Sequence, residues 1–149
     1  GTLEIRISDI CTSIDDAVAI AALIQALVAK LIKLRQNNMS WRHYRQHHIK
    51  ENKWRAMRYG IEGKLIDFGI REEVPMRFLV LEMLELVDDV VDDLGSREEV
   101  NHIRTILERG TSADRQVQAY QDALEKGASE EEALIAVVDF LTSETMRGV

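Results

Sequence analysis

Gly1-Thr2-Leu3-Glu4-Ile5-Arg6-Ile7 opens the chain, and every other assignment depends on what becomes of it. The pattern predicts a strand with alternating faces. Leu3, Ile5 and Ile7 fall on one side; Thr2, Glu4 and Arg6 fall on the other. Glu4 and Arg6 are then about 7 Å apart along the strand at the usual rise per residue. A carboxylate is a hard oxygen ligand for a cation such as Mg2+, and a guanidinium is a planar fork for a phosphate. Such a face suits a metal–nucleotide site. The commoner meaning of the same spacing is an ion pair on a solvated sheet face. A strand needs neighbours, and the sequence beyond residue 10 reads almost wholly as helix. The expectation is therefore a single C-terminal fragment of a larger protein, cut within its sheet. Residues 1–10 would be the sheet strand and turn, and residues 13–149 the helical region.

Working outward, Ser8–Thr12 predicts a turn and Ser13 an N-cap. Asp15 and Asp16 stand in the first turn, where the helix dipole favours acids. This helix runs to about Arg35. It is apolar nearly all round from Ala17 to Leu34, so burial on most sides is expected, with Ala19, Leu23, Leu27 and Leu31 in the core. Asn37-Asn38 ends it. A basic, aromatic segment from Trp41 to Tyr59 contains a helix that stops at Gly60. Residues 61–69, bounded by glycines, are weakly strand-like. A long helix begins near Val74 or Pro75 and ends before Gly95. Ser96-Arg97-Glu98-Glu99 and Ser129-Glu130-Glu131-Glu132 read as capping boxes, opening helices to about Arg109 and about Met146. Between them Ser112 opens a helix to Lys126. Five or six helices with short connections make a mainly α fold, a helical bundle in which the N-terminal strand is the misfit.

Composition bounds the function. The 149 residues suffice for one domain with a core, and 46% hydrophobic residues is ordinary for a globular protein. Aromatics at 5% and a single Pro75 favour helix. A net charge of −7 argues against nucleic-acid binding through bulk electrostatics. The longest apolar run, Ala17 to Ile24, is too short for a bilayer, so no membrane association is expected. A lone Cys11 excludes an internal disulfide and fits a reducing compartment. With no signal-peptide pattern, the expected location is cytoplasmic.

Four further constellations could carry chemistry. In Glu51-Asn52-Lys53-Trp54-Arg55-Ala56-Met57-Arg58-Tyr59-Gly60, helical spacing places Glu51, Arg55 and Arg58 on one face. Two arginines flanked by Trp54 and Tyr59 suit a carboxylate or phosphate; a solvated amphipathic helix with Trp54 in the core has the same pattern. Asp88-Asp89-Val90-Val91-Asp92-Asp93 contains D-D-x-x-D, which can bind magnesium pyrophosphate, with Glu82 and Glu85 upstream. The segment lacks a convincing second acidic helix, since only Asp15-Asp16 offers one, and a solvated acidic face is the plainer reading. His43 and His47 are four apart, with His48 and Glu51 nearby. Their neighbours are basic and H-E-x-x-H is absent. Glu108–Gln116 reads as a tight corner between helices, Gly110 ending one and Ser112 capping the next.

Three of these stretches resemble, in order and spacing, the C-terminal portion of the type 2 glutamate–cysteine ligases, or carboxylate–amine ligases. They are Gly1–Arg6 followed by Asp9, Glu51–Gly60, and Gly110-Thr111-Ser112-Ala113-Asp114-Arg115-Gln116. The resemblance implies a glutamine-synthetase-like catalytic sheet in an α+β parent. It also implies ATP cleavage coupled to amide formation through an acyl phosphate. Glu4 maps onto a magnesium ligand and Arg6 onto a residue contacting the transferring phosphoryl group. Arg55 and Arg58 map onto a motif near the catalytic face, with a substrate- or phosphate-binding role. The expected partners are ATP with Mg2+, an amino-acid carboxylate, an amine, and the N-terminal part of the same polypeptide. Without that part the fragment should be inactive, and its uncovered apolar surface would favour a homo-oligomer. The competing readings are a non-catalytic α-helical interaction module and an all-α magnesium–pyrophosphate enzyme using Asp88, Asp89 and Asp92.

Overall fold

A computed structural model describes residues 2–41 and 43–147. Gly1 of the opening stretch and Arg42 of the basic segment lie outside the described residues. The fold is mainly α. Its elements are α1 (Ile14–Gln36), α2 (Gln46–Tyr59), a 3-10 turn (Gly60–Glu62), β1 (Lys64–Asp67), β2 (Glu72–Pro75), α3 (Met76–Val91), α4 (Arg97–Arg109), α5 (Ser112–Glu125) and α6 (Glu130–Met146). They fall into two compact units, one formed by Ala19–Thr111 and the other by the described residues of Gly1–Val18 and Ser112–Val149.

The core of the Ala19–Thr111 unit is built on small residues. Ala19, Ala22, Leu23 and Ala26 recur at three- and four-residue spacing along α1, so they form one stripe. They pack with Leu84, Val87, Val90 and Val91 of α3 and with Val100 and Ile103 of α4. Alanines let the helix backbones approach closely, and the valines fill what remains. Beyond the stripe, Lys30 and Lys33 hold Asp89 of α3 at 2.7 and 2.9 Å.

Two expectations for α1 need correcting. It is not buried on most sides: Leu27 only borders the core, while Leu31 and Ile32 are exposed. A helix apolar all round needs neighbours all round, and the described residues cover one stripe of it. The short-run argument about membranes also fails, because the apolar character resumes beyond Gln25. By length and composition α1 could cross a bilayer, although its alanine stripe packs here against protein.

The opening stretch is expected as a strand cut from its sheet, and its partners would lie outside residues 1–149. Thr2–Ile7 has no ladder partner among the described residues, and Leu3 and Ile7 are exposed. Extended backbone without a neighbour has nowhere to place its hydrogen bonds. The strand-like stretch 61–69 does contain β1. Its partner β2 lies where sequence reading expected the start of a helix, and α3 starts at Met76, just after Pro75.

In the other unit α5 packs with α6. Arg115 reaches the buried Glu144 at 2.5 Å and lies over the Phe140 ring at 5.0 Å, and Arg147 adds a second cation to Glu144 at 3.2 Å. The capping box at Ser129 is present. The Glu132 amide donates to Ser129 Oγ at 3.3 Å, and the Ser129 amide donates to Glu132 Oε2 at 2.7 Å. Those bonds, the backbone one foremost, hold the Glu132 carboxyl below its ordinary value. The box expected at Ser96 is absent. Ser96 has φ −122° and ψ 23° rather than extended backbone, and its buried hydroxyl has no hydrogen-bond partner among the described residues.

Candidate ligand-binding cleft

The site begins at the end of α2. Gly60 stops the helix with φ 56°, a left-handed conformation that glycine adopts without strain. The 3-10 turn then reverses the chain onto the helix it has just left. Gly63 permits the reversal: a Cβ there would lie 2.8 Å from Tyr59 Cβ and 3.3 Å from the Gly60 carbonyl oxygen. The returning strand β1 is received by Asn52. Its Nδ2 donates to the Ile66 carbonyl at 2.8 Å and its Oδ1 accepts from the Ile66 amide at 2.8 Å, so one amide side chain serves as a neighbouring strand. Asp67 closes the hairpin, accepting from the Gly69 amide at 2.6 Å and the Ile70 amide at 3.2 Å. The β1–β2 register pairs Ile66 with Glu73.

This architecture encloses an open cleft of about 420 Å3 lined by Trp54, Arg55, Tyr59, Glu62, Gly63, Lys64 and Glu73. Trp54 and Tyr59 meet edge to face, with ring centroids 5.8 Å apart at 90°. Arg55 is held from two directions. Its Nε donates to Glu51 Oε1 at 2.9 Å, and its Nη1 donates to Glu73 Oε1 at 2.8 Å. Hydrogen bonds from Glu51 first and Glu73 second raise the Arg55 pKa further. The remaining terminal nitrogen, Nη2, has no partner among the described residues. Glu62 pairs with Arg77. Lys64 has no carboxylate partner among the described residues.

Of the two arginines singled out in sequence, only Arg55 lines the cleft. Arg58 is exposed, 5.7 Å from the centroid of the Tyr59 ring. Trp54 is half-exposed rather than a core residue. Glu4 and Arg6 sit in the other unit. Arg6 Nε lies 2.8 Å from Glu4 Oε1 as an ion pair, and both side chains are largely exposed.

The remaining constellations have structural partners. Asp88 and Asp92 both bind Arg97, and Asp89 binds Lys30 and Lys33, so Asp88, Asp89 and Asp92 are each matched by a cation. Among the described residues no group of three or more His, Cys, Asp and Glu side chains could hold a metal ion. The His47 and His48 rings lie 4.0 Å apart, and His48 and Tyr44 pack on Phe68. At the corner, Ser112 opens α5, and its hydroxyl contacts Thr12 Oγ1 and accepts from Gln116 Nε2 at 3.1 Å.

Comparison with known proteins bears on what these groups serve. A model of glutamate-cysteine ligase family 2 matches residues 1–139. The chain belongs to this family. It is 50% identical over 149 residues to proteins of Chloroflexus aggregans and Herpetosiphon aurantiacus. It is 48% identical over 145 residues to one of Rhodospirillum rubrum. Each of the three carries the name "Putative glutamate--cysteine ligase 2". The alignments cover 100%, 100% and 97% of this chain, but only 36%, 37% and 37% of those relatives' lengths. No solved structure matches the chain.

Glutamate-cysteine ligase family 2 is thus represented here by about a third of the length of its matched members. Sequence reading found Arg55 through its spacing from Glu51 but missed Asn52, Lys64 and Glu73 as parts of one site. The available signal was the Gly60–Gly63 pair directly after a helix, which returns the chain onto that helix and sets residues of 64–73 against residues of 51–59.

Proposed function

We propose that this chain forms part of an ATP-dependent ligase that joins an amino-acid carboxylate to an amine through an acyl phosphate, and that the chain alone is inactive. The observation that carries the reading is the family match over residues 1–139. Glu4 is one Mg2+ ligand and Arg6 contacts the phosphoryl group in transfer. Arg55 acts on the substrate side. The roles of Glu4 and Arg6 rest on their place in the stretch that the family model matches; their exposed pairing at 2.8 Å is also that of a solvated ion pair. Arg6 would then stabilise charge building on phosphoryl oxygens. The described residues do not by themselves fit the ion: one exposed carboxylate falls short of an octahedral oxygen set, and no cluster of three forms. The other ligands would come from the rest of the polypeptide and from substrate phosphates. A cytoplasmic location, read from the lone Cys11, belongs to the same proposal.

The test is ATP-dependent amide formation by the full-length protein. Glu4→Gln and Arg6→Lys should each lower turnover at least about a hundredfold, the scale of removing one electrostatic stabiliser. Asp89→Asn combined with Asp92→Asn should leave it nearly intact. The opposite outcome overturns the assignment.

A further inference from the structure

We propose that the outer face of α1 is an internal interface of the longer protein, covered by polypeptide outside residues 1–149. The inference rests on family membership and on the relatives' lengths, not on the ligase chemistry. The helix carries two apolar stripes. Ala19, Ala22, Leu23 and Ala26 make the first, which is spent on the core with α3 and α4. At about 3.6 residues per turn, Ala21, Ile24, Val28, Leu31 and Ile32 fall on the opposite side. All five belong to the Ala19–Thr111 unit. Ala21, Leu31 and Ile32 are exposed, and Ile24 and Val28 are half-buried. Gln25 borders this second stripe, and the exposed Arg35 ends it. Apolar residues scattered singly on a surface are ordinary, whereas a continuous apolar row marks a surface built to be covered.

A bilayer, a second copy and the rest of the polypeptide compete for this face, and the first two fit it poorly. By length and composition α1 suits a bilayer. Its inner stripe, however, is packed on α3, and Asp88 and Asp89 of α3 are ion-paired with Arg97, Lys30 and Lys33. Immersing α1 would draw those charges towards hydrocarbon, which is costly. A second copy brings another net charge of −7, so self-repulsion opposes pairing. The rest of the polypeptide carries neither penalty. This chain accounts for only 36% and 37% of the lengths of two matched relatives, so most of their length is available as cover. The covering segment presents an apolar surface to Ala21, Ile24, Val28 and Ile32, and a carboxylate is welcome only at the Arg35 end.

The experiment introduces Ala21→Cys and Ile32→Cys separately into this 149-residue chain and into the full-length protein. Labelling by N-ethylmaleimide is followed by mass spectrometry that locates the modified residue. Each site should label at least about tenfold more slowly in the full-length protein than in the 149-residue chain, at every dilution and without lipid. Ile32→Lys should lower the melting temperature of the full-length protein by at least about 5 °C and that of the 149-residue chain by less than about 1 °C. A full-length Ile32→Lys that fails to fold, beside a 149-residue variant that melts unchanged, is the same result in stronger form. Equal labelling in the two proteins overturns the proposal. So does protection lost on dilution, which assigns the face to a second copy, and protection that needs lipid vesicles, which assigns it to a membrane. A 149-residue chain already protected, or already destabilised by Ile32→Lys, overturns it as well, since residues 1–149 would then cover the face themselves. None of these readouts requires amide formation, so the ligase reading stands or falls separately.

Discussion

Asn52 does work usually left to a strand. It satisfies both backbone groups of Ile66 from within a helix, a bond pair that no side chain lacking an amide can reproduce. Asn52→Leu should therefore cost about 2 kcal/mol, since a part-buried donor and acceptor both lose their partner. Denaturant unfolding checks the cost, and amide exchange at Ile66 should accelerate with it. Asp89 makes a second single-residue prediction. Hydrogen bonds from Lys30, then Lys33, lower its pKa from 3.8 to about 2. A carboxylate with a depressed folded-state pKa contributes stability above its unfolded value, and that contribution disappears as pH falls through the folded value. Asp89→Asn should lower the urea midpoint at neutral pH and flatten its decline between about pH 4 and about pH 2. Urea titrations across that window decide it.

Helix starts separate what a serine can do from what it does. Ser129 and Ser96 have the same sequence signature, a serine followed three residues later by Glu, and only Ser129 forms the reciprocal pair. Ser129→Ala should cost about 1 kcal/mol, the usual worth of an N-cap. Ser96→Ala removes a buried hydroxyl with no partner among the described residues and should be neutral or slightly stabilising. Thermal melts of the two variants distinguish them. Most elements were legible, because helix ends are written locally: Gly60, Gly110 and Gly127 follow α2, α4 and the last turn of α5 with positive φ. The hairpin was half legible. β2 reads Glu72-Glu73-Val74-Pro75, with no alternation to find, and it exists because β1 and Asn52 hold the chain in place. The Thr2–Ile7 stretch is the complementary case. Its alternation is local, but a strand requires a partner that local pattern cannot supply.

At the scale of the whole chain, periodicity located the buried stripe but overstated its width. Ala19 and Leu23 were identified, whereas Leu27 only borders the core and Leu31 is exposed. Leu84→Ala should then cost about 2–5 kcal/mol and Leu31→Ala close to nothing, measured by equilibrium unfolding. The cleft was legible only in part. Arg55 could be read from helical spacing, while Lys64 and Glu73 depend on a reversal whose tightness is set by Gly63. The division into units has a consequence for synthesis. Ala19–Thr111 is continuous in sequence, so all of it has been made before α6 begins, and it can fold as the chain emerges. The other unit joins residues near the start to residues after 111, as in the bond from Thr145 Oγ1 to the Thr12 carbonyl. The Thr12 end of that bond must wait for Thr145, 133 residues later, so this unit closes only after the whole of Ala19–Thr111 has been made.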